Sequence, residues 1–243
     1  MKTITFVAIT LISGAIAGTI LGIINQGLVE PYIERAIALE NQNARDKGEL
    51  LDLTLFNNYR MWQKGGEIFA GTIYGISISS LFGVVFAYAR SSLPGSKNGN
   101  NVKKALILAG IMWFVLFIVP ATKYPANPPA VGSPDTLAIR QSLYMSFMAI
   151  SGFSALALAF AYRKLWNVKS KKVIIPLTYA GIMIAAYVFM PPNPDPINAP
   201  MDLVIGFRLV SAFTVSIFWG TMAGIFGLFW NKFKPHETAK IAI

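Results

Sequence analysis

Two proline-rich segments contain residues that could bind a charged ligand. Residues 120–135 include five prolines, and residues 190–202 repeat the pattern. Because proline has no N–H, these segments leave backbone carbonyls available to water or to a cation. Carbonyl, amide and carboxylate oxygens can all serve as ligands of a divalent ion. The polar residues of the two segments and of the helices after them are Asn127, Asp135 and Arg140 in the first, and Asn193, Asp195, Asp202 and Arg208 in the second.

Each segment places an aspartate at the start of a predicted helix and an arginine five or six residues later. Asp135 is expected to be a helix N-cap. Arg140 and Arg208 fall in or beside apolar runs, where an ionisable residue is costly and therefore indicates a functional site. The alternative is a structural ion pair or a side chain that reaches the interface. The candidate partners of the two arginines are Glu67, Asp135, Asp195 and Asp202.

Further acids lie near the same predicted face. Glu67 precedes an apolar run and is expected in the first helical turn, where the helix dipole favours an acid. A long connection, residues 29–66, contains Glu30-Pro31, which suits a helix start. The carboxylates of Glu30 and Glu34 could attract cations to an entrance. The alternative is an amphipathic lid with a structural role.

Several chemistries are excluded by composition. The chain has no cysteine and one histidine, His236. Thiolate metal sites, disulfides and a multi-histidine centre within this chain alone are therefore excluded. It contains neither a phosphate-binding Gly-rich Lys-Ser/Thr loop nor a His-Glu-x-x-His motif. The chain is not expected to be an enzyme, and no cofactor is expected.

The elements that must position these residues are apolar helices. Of 243 residues, 54% are hydrophobic and only 13% are charged, with a mean hydropathy of +0.53. A membrane-spanning helix needs about 20 apolar residues. The sequence predicts an all-α integral membrane protein with a single polytopic domain over residues 1–243. The six predicted spans are 4–28, 68–88, 102–119, 137–162, 173–190 and 203–230; a signal peptide is the alternative for the first.

The net charge of +10 predicts the orientation. Basic residues without acids follow the second and fourth runs, and the C-terminal tail is also basic. Cytoplasmic loops carry an excess of Lys and Arg, so both termini are expected in the cytoplasm of a cell-membrane protein. The residues that carry this prediction are Lys2, Arg90, Lys97, Lys103, Lys104, Arg163, Lys164, Lys169, Lys171, Lys172, Lys232, Lys234 and Lys240.

Small residues at helical spacing predict close helix packing. The glycines concerned are Gly14, Gly18 and Gly22 in the first run, Gly71 and Gly75 in the second, and Gly220 and Gly224 in the sixth. The similarity of the two proline-rich segments also predicts a repeated helical hairpin, runs three–four and five–six, with runs one–two as a diverged third copy.

The segment Lys123 to Gly132, Lys-Tyr-Pro-Ala-Asn-Pro-Pro-Ala-Val-Gly, followed by Pro134-Asp135-Thr136 and Arg140, resembles the CbtA family. The resemblance extends over most of the chain. It implies a multi-pass subunit linked to cobalt transport, often in the setting of cobalamin synthesis, with cobalt as cargo. It also implies a small partner, CbtB, that has one span and a histidine-bearing segment, and it adds Lys123 and Tyr124 to the candidate pathway.

The residues leave the substrate and the metal ligands open. Oxygen ligands alone would bind cobalt weakly, so tight capture would need the histidines of the partner. The cations Lys123, Arg140 and Arg208 would suit an anionic or amide-bearing corrinoid better than a bare metal ion. The second hypothesis is a non-catalytic accessory subunit of a larger membrane complex, with the small-residue faces as docking surfaces. Membrane lipids are expected as neighbours and nucleic acid is not.

Overall fold

The computed structural model describes residues 2–48, 53–94, 100–129, 131–164 and 170–236. Six of its helices are long and apolar enough to cross a membrane, which confirms the all-α membrane class. The predictions that involve Lys97, Lys169 and Lys240 lie outside the described residues. The elements are α1 (Thr3–Leu28), α2 (Glu30–Asp46), α3 (Leu53–Ala89), α4 (Asn101–Trp113), a π-helical segment (Phe114–Ile118), α5 (Val119–Lys123), a 3-10 turn (Pro134–Thr136), α6 (Leu137–Lys164), α7 (Lys171–Phe189) and α8 (Met201–Phe233).

The described helices form two compact units. Unit 1 contains α1, α2, α3, most of α4 and α8, and unit 2 contains residues 112–200. In unit 1, α1 and α3 approach so closely that glycine is required at the contact. A methyl group at Gly18 would lie 2.1 Å from the Gly71 carbonyl oxygen, and one at Gly14 would lie 2.4 Å from that of Gly75. The Ser79 hydroxyl adds an interhelical bond of 2.6 Å to the Thr10 carbonyl.

The predicted packing face on α8 does not make such a close contact. A methyl group at Gly220 or Gly224 on α8 would meet no atom within 4 Å. Elsewhere on α8, aromatic side chains pack, with Phe226 edge-on against Phe82 at a ring separation of 5.1 Å. The close glycine contact of α8 with α4 is at Gly227, where a methyl group would lie 2.5 Å from Val102 Cα. The predicted packing role of Gly220 and Gly224 is therefore not seen among the described residues.

In unit 2, the helix that begins at α4 continues as the π-helical segment and α5, and it packs with α6 and α7. The buried side chains at the centre are Val119, Tyr124, Phe147 and Met183. Pro120 lies within this helix, whereas the sequence predicts that it ends the span. A proline is tolerated here because the helix has already changed its hydrogen-bond register at residues 114–118.

Two other boundaries differ from the sequence prediction. The predicted amphipathic helix after α1 is confirmed as α2, which starts at Glu30-Pro31. However, α3 begins at Leu53, not at Ile68, so most of the predicted loop after α2 is helical. Polar residues such as Arg60 and Lys64 lower the hydropathy there, yet they lie on a helix because they form ion pairs with α2.

Candidate functional site

The two proline-rich segments meet in unit 2. The Lys123 ammonium donates to the Tyr187 carbonyl and lies 4.7 Å from the centre of the Tyr187 ring. The phenol of Tyr124 donates to the Pro191 carbonyl. Burial raises the pKa of this phenol, so it remains a protonated donor at neutral pH. We call this contact between residues 123–140 and 187–195 the loop junction.

The centre of the loop junction is the ion pair between Arg140 and Asp195. The Arg140 Nε lies 2.9 Å from Asp195 Oδ2, at ion-pair distance but outside hydrogen-bond geometry. The other guanidinium nitrogens donate to the carbonyls of Val131 at 3.2 Å and Ser133 at 3.0 Å. The Thr136 hydroxyl donates to the same carboxylate oxygen at 2.6 Å. Only 9% of the Asp195 side chain is exposed, so this pair is a costly group to break.

Gly132 allows the first segment to fold over this ion pair. Its φ is +95°, a left-handed conformation that favours glycine. A methyl group at this position would lie 2.4 Å from Asp195 Oδ2 and 2.9 Å from Arg140 Cζ. Glycine is therefore required at position 132, the end of the motif, for two reasons: the backbone conformation and the lack of space for a side chain.

The remaining polar residues of the two segments shape the turns. The side chain of Asn193 accepts a bond of 3.1 Å from the Asp195 N–H, which fixes the loop before the carboxylate. Asn127 is half-buried in the first segment. Ser133, not Asp135, is the N-cap of the 3-10 turn, and its side chain accepts from the Asp135 N–H at 3.2 Å. Asp135 is exposed, and of the four candidate partners of Arg140 it is Asp195 that binds this arginine.

Three of the predicted site acids of unit 1 lie at the start of α2 and at the start of α8, where cations of α2 and α3 bind them. Glu30 is buried and bonds to Arg60, with Lys64 at 3.6 Å. Glu34 bonds to the same lysine, which lowers the pKa of the glutamate. On α8, Asp202 pairs with Arg35 of α2 at 2.8 Å. We call these residues the acidic end of unit 1.

Two of the predicted site residues in unit 1 have other surroundings than expected. Glu67 was predicted in the first turn of a helix, but it lies about four turns after the start of α3, so the helix dipole cannot favour it. It is half-buried, and a methyl group at Gly22 would lie 3.2 Å from its carbonyl oxygen. Arg208 is half-buried on α8, six residues after Asp202, whose carboxylate is bound to Arg35.

Sequence reasoning missed the cations that bind these acids. Arg60 and Lys64 are spaced by four residues, as are Glu30 and Glu34, so each pair lies on one helix face. That matching spacing was the available signal. Thr136 and the partner role of Arg35 had no such signal, because they depend on tertiary contacts.

The described residues do not form a metal centre by themselves. Among the described residues, no group of three or more His, Cys, Asp or Glu side chains could hold a metal ion. Four of the predicted acids, Glu30, Glu34, Asp195 and Asp202, are bound by Lys or Arg. The loop junction instead presents a rigid surface of paired charges and carbonyl groups at the ends of three helices.

Comparison with known proteins gives one match. The family model CbtA, described as a probable cobalt transporter subunit, matches residues 3–231 of the chain. No curated protein and no solved structure matches.

Proposed function

Because this chain belongs to the CbtA family of probable cobalt transporter subunits, we propose that it is the multi-pass subunit of a cobalt transport system and acts with a small, histidine-bearing, CbtB-like partner. The family match carries the cobalt assignment. The need for a partner that supplies metal ligands rests on the state of the carboxylates in this chain.

A carboxylate that is bound to Lys or Arg is a poor ligand for a second cation, because the metal must first displace the existing partner. The ion pairs of Glu30, Glu34, Asp195 and Asp202 therefore reduce the oxygen ligands that this chain can offer. Imidazole is a better ligand for first-row divalent ions, and the only histidine of this chain, His236, contacts Trp230. A histidine-bearing partner would supply metal ligands in place of the carboxylates that are already paired in this chain.

The distribution of charge supports an orientation with both termini in the cytoplasm. In unit 1, the acidic end lies at the start of α8, whereas Arg90 bonds to Asn101 near the opposite ends of α3 and α8. Lys2 is placed at that same end by the bond of its N–H to the Pro235 carbonyl. Arg90, Lys104 and Lys2 therefore lie at one end of unit 1, and an excess of Lys and Arg at the ends of spans is typical of the cytoplasmic side.

The test is cobalt flux in proteoliposomes with and without the partner. We expect flux with both proteins present, and at least tenfold less with this chain alone. Arg140→Ala should reduce the flux of the pair, whereas Asp135→Asn, at an exposed residue of the 3-10 turn before α6, is the control. Full flux by this chain alone would refute the role of the partner. Absence of flux with the partner, together with co-purification in a larger complex, would favour the accessory-subunit function.

A further inference from the structure

Unit 2 contains an apolar groove that none of the preceding chemistry uses. Its volume is about 510 Å³, and it lies between the π-helical segment, α5, α6 and α7. Phe114 and Pro176 are at one end, Thr122 and Tyr187 at the other, and Phe147 and Met183 form the buried floor. All of these residues belong to unit 2.

Two of the hydroxyl groups that line this groove, those of Thr122 and Tyr179, are already hydrogen-bonded. The Thr122 hydroxyl donates to the Val119 carbonyl at 2.7 Å. The Tyr179 hydroxyl is 2.7 Å from the Ser151 hydroxyl. An occupant therefore finds an apolar surface along the groove, and a molecule that fills it must be apolar over the same length.

A cation lies at the loop end of the groove. The Lys123 ammonium is 4.7 Å from the centre of the Tyr187 ring, which lines that end, and 5.8 Å from the Tyr124 ring. Within the described part of the chain, the hydrogen bond seen for this ammonium is to the Tyr187 carbonyl, and an ammonium has three donors. A lysine beside tyrosines at the end of a span is also where lipid phosphates lie.

The length of the groove suits an acyl chain. From Pro176 to Tyr187 the groove follows α7 for about 16 Å, the thickness of one leaflet. A lipid whose phosphate lies at Lys123 would place one acyl chain along this length.

We propose that this groove is a phospholipid site that takes one acyl chain between α5 and α7 and binds the lipid phosphate at Lys123. The site is separate from cobalt binding, and its occupancy does not depend on the transported ion. A bound lipid would stabilise the end of α7, where Tyr187 and Pro191 form part of the loop junction.

The test measures lipid binding by native mass spectrometry on the purified full-length chain in detergent. The probes are palmitoyl-oleoyl phosphatidylglycerol and the matched diacylglycerol, which lacks the phosphate. We expect one tightly bound phospholipid per chain and a much weaker diacylglycerol complex. Lys123→Gln should weaken phospholipid binding about tenfold without affecting diacylglycerol, and Ala180→Trp, which fills the groove, should abolish both.

Two variants of α7 are the matched controls. Lys172→Gln removes a lysine at the opposite end, and Leu177→Trp adds the same bulk outside the groove; both should bind phospholipid normally. Phospholipid binding that is unchanged by Lys123→Gln and Ala180→Trp, or equally reduced by the controls, would overturn the proposal.

Photo-crosslinking keeps the test decisive if Ala180→Trp does not fold. A phospholipid with a diazirine on its acyl chain should label Phe114, Phe147 and Met183 of the unaltered chain. Labelling spread evenly around α7 would refute the site. Lipid binding and labelling are both measured on this chain without cobalt and without the partner, so failure here is distinguishable from failure of the proposed transport function.

Discussion

The hydroxyl of Ser151 on α6 lies 2.5 Å from the carbonyl oxygen of Val115 in the π-helical segment. The π-helical register pairs each carbonyl with the N–H five residues later, and for Val115 that residue is Pro120, which has no N–H. Ser151 therefore supplies the missing donor in a fully buried position. Because its hydrogen is used in this way, Tyr179 of α7 must donate to the Ser151 oxygen, so the three helices are joined by one directed chain of hydrogen bonds.

Ser151→Ala should destabilise unit 2 by about 1–2 kcal/mol, since it leaves a buried carbonyl without a donor. Pro120→Ala restores a backbone N–H beside that carbonyl, so the double variant Ser151→Ala/Pro120→Ala should recover most of the loss. Thermal unfolding in detergent measures both. A double variant whose loss equals the sum of the two single losses would show that Pro120 and Ser151 do not act on the same carbonyl.

Asp195→Ala should destabilise the loop junction by about 3 kcal/mol, because it leaves Arg140 partly buried without its counter-charge. Arg140→Lys should also be impaired, since an ammonium cannot reach Asp195 and the carbonyls of Val131 and Ser133 together. The measurements are unfolding temperature and cobalt flux of the pair of subunits. Asp135→Asn is the control, and an equal effect at Asp135 would contradict the assignment of Asp195 as the partner.

Gly18→Ala should force α1 away from α3, since the added methyl group would lie 2.1 Å from the Gly71 carbonyl oxygen. The expected loss is about 1–3 kcal/mol. Gly220→Ala adds the same group where no atom lies within 4 Å, and the better helix propensity of alanine should leave stability equal or higher. Denaturant titration in mixed micelles compares the two. Similar losses at both positions would exclude close packing as the cause.

The ion pair of Glu34 and Lys64 should weaken in acid. The bond from Lys64 holds the pKa of Glu34 below its ordinary value of 4.5. A lowered pKa in the folded state means that the stabilisation is complete above pH 4.5 and is lost as the pH falls through the lowered value. Because both side chains are exposed by more than 40%, solvent screens the ion pair and the effect on stability is small.

The variant Glu34→Gln isolates this contribution. Its difference from the unaltered chain in unfolding free energy should shrink between pH 6 and pH 3. Glu40→Gln, an exposed residue of the same helix, is the reference substitution. A difference that stays constant over this range would show that the ion pair does not stabilise the docking of α2 on α3.

Single cysteines can determine the orientation, because the chain has none of its own. A membrane-impermeant maleimide should label Asp135→Cys in intact cells. Ser92→Cys, after α3, and Lys232→Cys, in the last turn of α8, should react only after permeabilisation. All three positions are exposed. The reverse pattern would place the termini outside the cytoplasm.

Much of the architecture follows from local sequence properties. Hydropathy over about 20 residues determines a span, and all six predicted spans coincide with helices. The family was also recognisable from the motif that runs from Lys123 to Gly132, and the family match over residues 3–231 confirms it. The start of α3 was missed because hydropathy detects apolar residues. The part of α3 that forms ion pairs with α2 is less apolar than a spanning helix.

The pairing of charges could not be predicted in the same way. The sequence indicated that Arg140 needs an acid and offered four, of which the nearest along the chain was Asp135. The structure selects Asp195, 55 residues later, because Gly132 lets one loop fold over the start of the other. The lack of a backbone donor for the Val115 carbonyl could not be predicted from the sequence either, because no residue composition is typical of a π-helical register.

The sequence by itself therefore determined the membrane class, the six spans, the family and the residue types of the candidate site, because each depends on short-range patterns of apolarity and on a rare motif. Only the tertiary structure decided which carboxylate neutralises which cation and which glycines pack. These outcomes depend on distances between segments far apart in the chain, where a change of a few ångströms separates a buried ion pair from a free metal ligand.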